Sequence, residues 1–407
     1  MVVPATELSH KAEEHLRFLC LDLPTRRVGS RGNRTATEAF AHILDTFNFV
    51  VECPEFDCID WTQGGVHLTA GDESFEAFVS PYSLGCRVRA PLEIVTTVGE
   101  LEIAKAGDSL LLVRGELARE QLMPKNFPFY NPEEHQHIVQ LLETKKPLAI
   151  IAATSRNPEL AGGAYPFPLI EDGDFHIPSV YMTEEEGNRL AAHAGEPVEL
   201  ESRADRIPAK ACNVVAKKEG KNSQRVVLTA HIDCKPGTPG ALDNASGIVV
   251  LLMAAELLRD YDGSLGIEIV AINGEDYYSA GGEILYLENN QGKLNQILIN
   301  INLDGVGYHQ GDTAFSLYGC SDELASIIRK TMSVHPGIVE GEPWYQGDHM
   351  IFVQNQVPAM AITSHVLAEL MAEITHTSKD VPELVDPSRL AHVALALRDL
   401  SLELGRN

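Results

Sequence analysis

The sequence is short of positive charge: 32 lysines and arginines stand against 58 aspartates and glutamates, a formal net charge of -26. No Lys/Arg cluster offsets that field, which argues against nucleic acid and anionic membrane surfaces as partners. Long hydrophobic runs are also missing. A membrane-spanning helix needs about 18 or more consecutive apolar residues, and no such window occurs; nor do the residues from Met1 to Glu7 form a basic stretch followed by an apolar one. The chain as given therefore reads as soluble and cytoplasmic. Its seven cysteines are odd in number and scattered from Cys20 to Cys320, with no Cys-x-x-Cys pair. That pattern suits reduced thiols better than a disulfide framework. Gly-x-Ser-x-Gly and His-Glu-x-x-His do not occur, which disfavours a nucleophile-elbow serine hydrolase and the common single-zinc protease.

What is present is a large apolar fraction and one informative stretch. With 407 residues, 44% apolar and 22% charged, the chain has material for a large core and for two or more domains. From Thr229 to Gly247 it has the form of a metal cradle between a strand and a helix. Arg225 to Ala230 reads as a buried strand whose end delivers His231 and Asp233, two apart, on one face. A Pro/Gly loop through Pro236, Gly237, Pro239 and Gly240 then turns the chain, and Asp243 and Asn244 stand where a helix from about Ala245 to Arg259 begins.

Around this stretch the organisation is α/β. Helices are expected from Glu7 to Leu21 and from Thr35 to Phe47, joined through the turn Arg27-Val-Gly-Ser-Arg-Gly-Asn33, which reads as a helix connector rather than a phosphate loop. From about Asp57 to Arg206 the pattern changes to short alternating strands. His135 and His137 lie there two apart on an expected helix, which turns them to different faces. After Ala211 strands and helices alternate again, with strands expected at 213–217, 225–230, 266–272, 296–303, 313–317 and 359–363 and helices at 245–259, 281–290, 321–333 and 387–404. The expectation is a mixed, mainly parallel sheet covered by helices. Residues 1–56 and 207–407 would form one domain, and residues 57–206 a smaller β-rich domain inserted into it.

Three further constellations fall at strand ends or in loops of the second half. The strand from Gly266 ends in the adjacent carboxylates Glu275 and Asp276, the strand from Ile299 ends in Asp304, and His376 sits in a polar loop after a helix. Singly, each has an ordinary reading as a helix cap or a solvated loop residue. Together, His231, Asp243, Asp276, Asp304 and His376 supply two imidazoles and three carboxylates, with Glu275 left over as a base. That inventory suits two divalent ions bridged by one carboxylate.

The order and wording of these motifs resemble the co-catalytic zinc aminopeptidases, the family of the aminopeptidase S, aminopeptidase Y and glutamate carboxypeptidase type. The resemblance covers nearly the whole chain. It rests on Gly-Ser-Arg-Gly-Asn, His-x-Asp, Gly-Ala-Leu-Asp-Asn-Ala-Ser-Gly, Glu-Asp, Asn-Leu-Asp, His-Thr and Gly347-Asp-His-Met-Ile-Phe352. Residues 177–187 within the inserted region resemble part of a protease-associated domain. The resemblance implies zinc-peptidase architecture and two Zn2+ per chain, with Co2+ or Mn2+ able to bind the same set. It implies that Asp243 bridges the ions, that His231 and Asp304 complete one site and that Asp276 and His376 complete the other. Glu275 would be the general base, Asp233 would orient His231, the Asp243–Asn244 peptide would be cis, and peptides would be the substrates. Two positions depart from the family pattern: Thr375 stands where a Tyr often precedes the ligand His, and Tyr278-Ser279 replaces Gly-Leu after the base. Tyr345 and His349 are the candidates to replace that Tyr. Beside an aminopeptidase, the same fold leaves open a carboxypeptidase or amidohydrolase, a glutaminyl cyclase and a non-catalytic receptor-like relative.

Overall fold

The computed structural model describes residues 4–23, 25–157 and 163–406. Contacts divide the chain into two compact units: Met1–Cys58, Lys210–Leu370 and Ile374–Asn407 in one, Ile59–Ala209 and Met371–Glu373 in the other.

In the first unit, the described residues form an eight-stranded sheet. Its centre is four parallel strands in the spatial order Gly266–Ile272, Arg225–His231, Ile297–Leu303 and Ala359–Ser364. Val214–Lys218 runs antiparallel beside the first of them, and Thr313–Tyr318 antiparallel beside the last. Every residue of Gly266–Ile272 and of Ala359–Ser364 is buried, as expected of parallel strands covered on both faces. One face carries Val226, Leu228, Ala230, Ile267, Ile269, Ile299, Ile301 and Ile362 into the main apolar core. The helix Ser246–Leu257 joins that core and is buried from Ser246 through Glu256. Its sequence, SGIVVLLMAAEL, has no polar face because Ala5–Arg17 and Pro387–Leu404 pack over it.

Most elements of this unit lie within a few residues of where the sequence puts them, with two differences near the N-terminus. The second helix spans Arg31–Thr46 rather than starting at Thr35, because the Ser30 side chain accepts the Asn33 backbone N–H and caps it early. The motif read as a connector is thus half turn and half first helical turn. The first helix stops at Arg17 and continues as one π-turn, Phe18–Asp22.

The second unit contains another eight-stranded sheet among the described residues. Cys86–Val95, Leu110–Val113, Ala149–Thr154 and Ser179–Thr183 are parallel neighbours in it, accompanied by the helices Val98–Ile103, Glu133–Lys145 and Glu184–Leu190. Glu55–Ala70 and Pro197–Cys212 are single strands of 16 residues each, longer than the short segments expected from sequence. Gly64, Gly65 and Pro208 look like breaks, but pairing between these neighbouring strands carries the chain through them. His135 is buried and its Nδ1 accepts the Met123 backbone N–H, whereas His137 lies exposed beside Glu102. The pair is structural.

Leu251 lies at the middle of the buried helix and is fully inaccessible. Leu251→Ala is expected to lower stability by roughly 2–5 kcal/mol, read as a shift of the denaturant midpoint in equilibrium unfolding.

Candidate metal centre

The centre forms at the carboxyl ends of the parallel strands, where an open α/β sheet leaves a crevice. Arg225–His231 ends in His231, Ile297–Leu303 is followed by Asp304, and Gly266–Ile272 is followed by Asn273, Gly274, Glu275 and Asp276. The loop after His231 brings Asp243 back to the same point. Its Asn244 amide donates to the Leu303 carbonyl at 2.7 Å, and its Oδ1 accepts the Gly247 N–H at 3.0 Å. Glycine is required at 247: a Cβ there would lie 2.4 Å from Asn244 Oδ1 and 2.7 Å from the Leu303 carbonyl. The Asp243–Asn244 peptide is cis, and His376 enters from the far side with a left-handed backbone, φ 63°.

All five residues proposed as ligands meet here. His231 Nε2 lies 3.1 Å from Asp243 Oδ1 and 3.8 Å from Asp304 Oδ1. His376 Nε2 lies 3.1 Å from Asp243 Oδ2 and 3.3 Å from Asp276 Oδ1. The two oxygens of Asp243 therefore face different imidazoles, and each imidazole has a second carboxylate of its own. Glu275 Oε2 stands 4.0 Å from His231 Nε2 and forms a third group with His231 and Asp276, outside the two triads that share Asp243. Asp233 has contacts beyond the one implied for it. It lies 3.8 Å from His231 Nδ1, beyond hydrogen-bond length, and its carboxylate accepts the N–H groups of Gly274 at 2.8 Å and Asp276 at 3.1 Å. It acts directly on the strand end that carries Glu275.

Electrostatics make this cluster hungry for a cation. Two like charges 4 Å apart repel by about 4 kcal/mol at an effective dielectric constant of about 20. Burial disfavours the charged imidazoles, yet Asp243 and Asp304 lift the pKa of His231 well above the usual value, and Asp276 and Asp243 do the same for His376. Asp243 is buried too, but both histidines hold it far below the ordinary carboxylate range. Burial raises Glu275 well above its usual value, with His231 opposing and Asp276 and Asp304 reinforcing the shift. Burial likewise lifts Asp348 to about 7 and Asp233 to about 6. Both ring nitrogens of the buried His231 and Oδ2 of Asp276 lack hydrogen-bond partners. An all N/O donor set with unsatisfied buried atoms fits borderline and hard divalent ions, which would take the place of the imidazole protons.

Several residues around the centre escaped the sequence reading. Asp380 is fully buried, and its carboxylate accepts the backbone N–H groups of Leu242 at 2.7 Å and Asp243 at 3.0 Å. Its only signal was a place four residues after His376. Glu283 and Asp348 are buried acids beside Glu275, and each is raised by burial first. Of the two candidates to replace the absent Tyr, His349 is committed elsewhere. Its Nε2 lies 3.0 Å from the Trp344 carbonyl, so it must donate there, and burial depresses its pKa to about 4. The neutral ring then presents Nδ1 as an acceptor, which cannot stabilise an oxyanion. Tyr345 is largely exposed, on the same loop.

This architecture, with its carboxylate and imidazole cluster at the strand ends, is a mixed α/β fold of the zinc aminopeptidase type. It superposes on the zinc aminopeptidase BSAP from Bacillus subtilis with a TM-score of 0.76, 19% identity and coverage of 98% of this chain and 95% of that one. The aminopeptidase from Aneurinibacillus sp. strain AM-1 gives a TM-score of 0.75, 20% identity and coverage of 98% and 94%. Residues 213–401 match the sequence model of peptidase family M28. Among curated proteins it is similar to the probable lipoprotein aminopeptidase LpqL of Mycobacterium tuberculosis, 28% identical over 293 residues, 69% of this chain and 54% of that protein. It is also similar to aminopeptidase YwaD of Bacillus subtilis, 27% identical over 140 residues, 34% of this chain and 31% of that protein. The chain thus matches about half the length of the first of these relatives and about a third of the second. Among the described residues, no helix is long and apolar enough to cross a membrane.

The titration pattern has a definite sign. The raised imidazoles stabilise the metal-free fold below the unfolded value of 6.5, and that contribution is lost as pH rises through their folded values. Asp348, raised from 3.8 to about 7, adds a destabilisation that builds between those two values and is complete above them. The metal-free protein is therefore expected to have a lower thermal midpoint at pH 8.5 than at pH 5.5. Zinc should reverse the trend, because its binding strengthens as the imidazoles lose protons. Thermal scans with and without zinc across this range check it.

Proposed function

We propose that the chain is a two-zinc metallopeptidase that removes the N-terminal residue from peptides. The observation that carries the reading is the division of Asp243: each of its oxygens lies 3.1 Å from a different histidine, and each histidine is paired with a second acid. His231, Asp243 and Asp304 would hold one ion, and Asp243, Asp276 and His376 the other. The family model over residues 213–401 and the aminopeptidase names of the similar proteins support the same reading.

When bound, the ions would polarise the scissile carbonyl and bring the pKa of the attacking water towards neutrality. Glu275 does the proton work. Grouped with His231 and Asp276 but in neither triad that shares Asp243, and raised in pKa by burial, it accepts the proton of the attacking water at a carboxylate oxygen and returns it to the leaving amine. Asp233 keeps it in place through Gly274 N–H and Asp276 N–H. Asp380 holds the backbone of Leu242 and Asp243 so that both Asp243 oxygens point at the histidines. The surplus of buried acid at Glu283 and Asp348 suits a free, protonated α-amine at the substrate end. We take the unit Ile59–Ala209 as a protease-associated-type insertion into the peptidase domain.

Metal analysis with release of p-nitroaniline from free and N-blocked aminoacyl anilides tests the proposal. Two zincs per chain and cleavage of unblocked substrates alone are expected. One ion or none without cleavage would favour a cyclase or a non-catalytic protein, and cleavage of blocked substrates would favour another hydrolase. Glu275→Gln should lower kcat by about 100-fold or more, the scale of a general base, while the zinc content stays at the wild-type level. Loss of zinc in that variant would mean that Glu275 is a ligand.

A further inference from the structure

The turn at residues 27–33 reads from sequence as a connector between two helices, and nothing in the proposed chemistry uses it or Arg26 just before it. Its hydrogen bonds lead to the metal centre. The Arg26 guanidinium is only 1% exposed, and four neutral carbonyls accept from it. Nε donates to Ile232 at 3.2 Å, Nη1 to Leu19 at 2.7 Å and Pro239 at 2.9 Å, and Nη2 to Gly240 at 2.8 Å. Ile232 lies between His231 and Asp233, and Gly240 precedes Asp243 by three residues. One planar fork therefore grips both ends of the loop that separates His231 from Asp243. A buried cation needs those carbonyls as its solvation shell, so the loop and the charge hold each other in place.

Asn33 makes the second attachment. Its Nδ2 donates to Asn273 Oδ1 at 2.8 Å and to the Arg26 carbonyl at 2.9 Å, and its Oδ1 accepts from Asn273 Nδ2 at 2.9 Å. Asn273 is two residues before Glu275, and both amides are fully buried. The turn is drawn tight enough that a Cβ on Gly32 would lie 1.9 Å from the Thr25 carbonyl. Asp233 closes the circuit by accepting from Gly274 and Asp276. A continuous ring results. It runs from the Arg26 guanidinium to the 232–240 loop, through Asp233 to residues 274–276, through Asn273 to Asn33, and back to the Arg26 carbonyl.

We propose that Arg26 and Asn33 are positioning residues that set the separation between the Asp243 loop and the Glu275–Asp276 strand end. The proposal rests on the two-ion reading above. The Arg26 donations to Ile232 and Gly240 and the Asn33 donation to Asn273 end within three residues of a proposed ligand or of the base. Lysine cannot replace Arg26, because an ammonium is a point charge without the rigid fork.

The test compares Arg26→Lys, Asn33→Ala and a control, Ile328→Ala, which removes a fully buried core side chain on the helix Asp322–Met332. Three quantities are read: the zinc dissociation constant by chelator competition, the melting temperature of the metal-free form, and kcat and KM at saturating zinc. Partners of this kind commonly contribute about 10–100-fold to metal affinity or activity. Arg26→Lys should weaken zinc binding on that scale. Asn33→Ala should lower kcat about 10-fold or more with KM nearly unchanged, on the same scale of effect. Ile328→Ala should lower the melting temperature while zinc affinity and kcat remain at wild-type values. Zinc affinity and kcat within about twofold of wild type in both variants, whatever their melting temperatures, would overturn the proposal. If Arg26→Lys yields no folded protein, Asn33→Ala carries the test alone. A wild-type chain that binds no zinc would refute the two-ion reading itself, an outcome distinct from variants that match a zinc-binding wild type.

Discussion

Crowding of carboxylates at one buried point is the constraint from which the rest of this structure follows. Asp243, Asp276 and Asp304 lie around two imidazoles, with Asp233, Glu275, Glu283 and Asp348 close behind. Without countercharge such a cluster would push itself apart or take up protons, and the raised pKa values of Glu275, Asp233 and Asp348 show the second response at work. Asp243 is held far below the ordinary range because it has a histidine on each oxygen, and His376 helps to lower Asp276.

A cluster of this kind requires a backbone that cannot relax. The parallel strands supply it, since they are buried throughout and end together at one crevice. The helix after the metal loop is apolar on every side and sealed by two outer helices, so its first turn cannot retreat from Leu303. Asp380 and Asp233 spend their charges on backbone N–H groups beside the centre. Acids that look interchangeable in a composition count thus divide into those that face the cavity and those that hold the frame.

Much of this frame was legible in the chain. Fully apolar strands such as Gly266–Ile272, and the helix Ser246–Leu257, announce burial on both sides because periodicity is a local property. His231, Asp243, Asp276, Asp304 and His376 stood out because ligand-type residues recurred at strand ends, and the fold brings those ends to one place. Arg26, Asn33 and Asp380 did not stand out. Arg26 reaches carbonyls more than 200 positions away, and Asn33 pairs with an amide 240 positions away. A backbone carbonyl has no residue type to recognise, so such a bond leaves no mark at its far end. Length also misled: short strands were expected where Glu55–Ala70 and Pro197–Cys212 run for 16 residues each.

By itself the sequence determined which chemistry is available. Imidazoles and carboxylates are fixed by residue identity, and their places at the ends of apolar strands follow from local pattern. Tertiary structure decided how the acids divide their work. Asp233, tied by motif to His231, lies 3.8 Å from it and also holds Gly274 and Asp276, and His349 is turned towards the Trp344 carbonyl. The physical reason is that a side chain's role depends on the donors and charges within a few ångströms of it, and those neighbours are assembled only when distant segments pack.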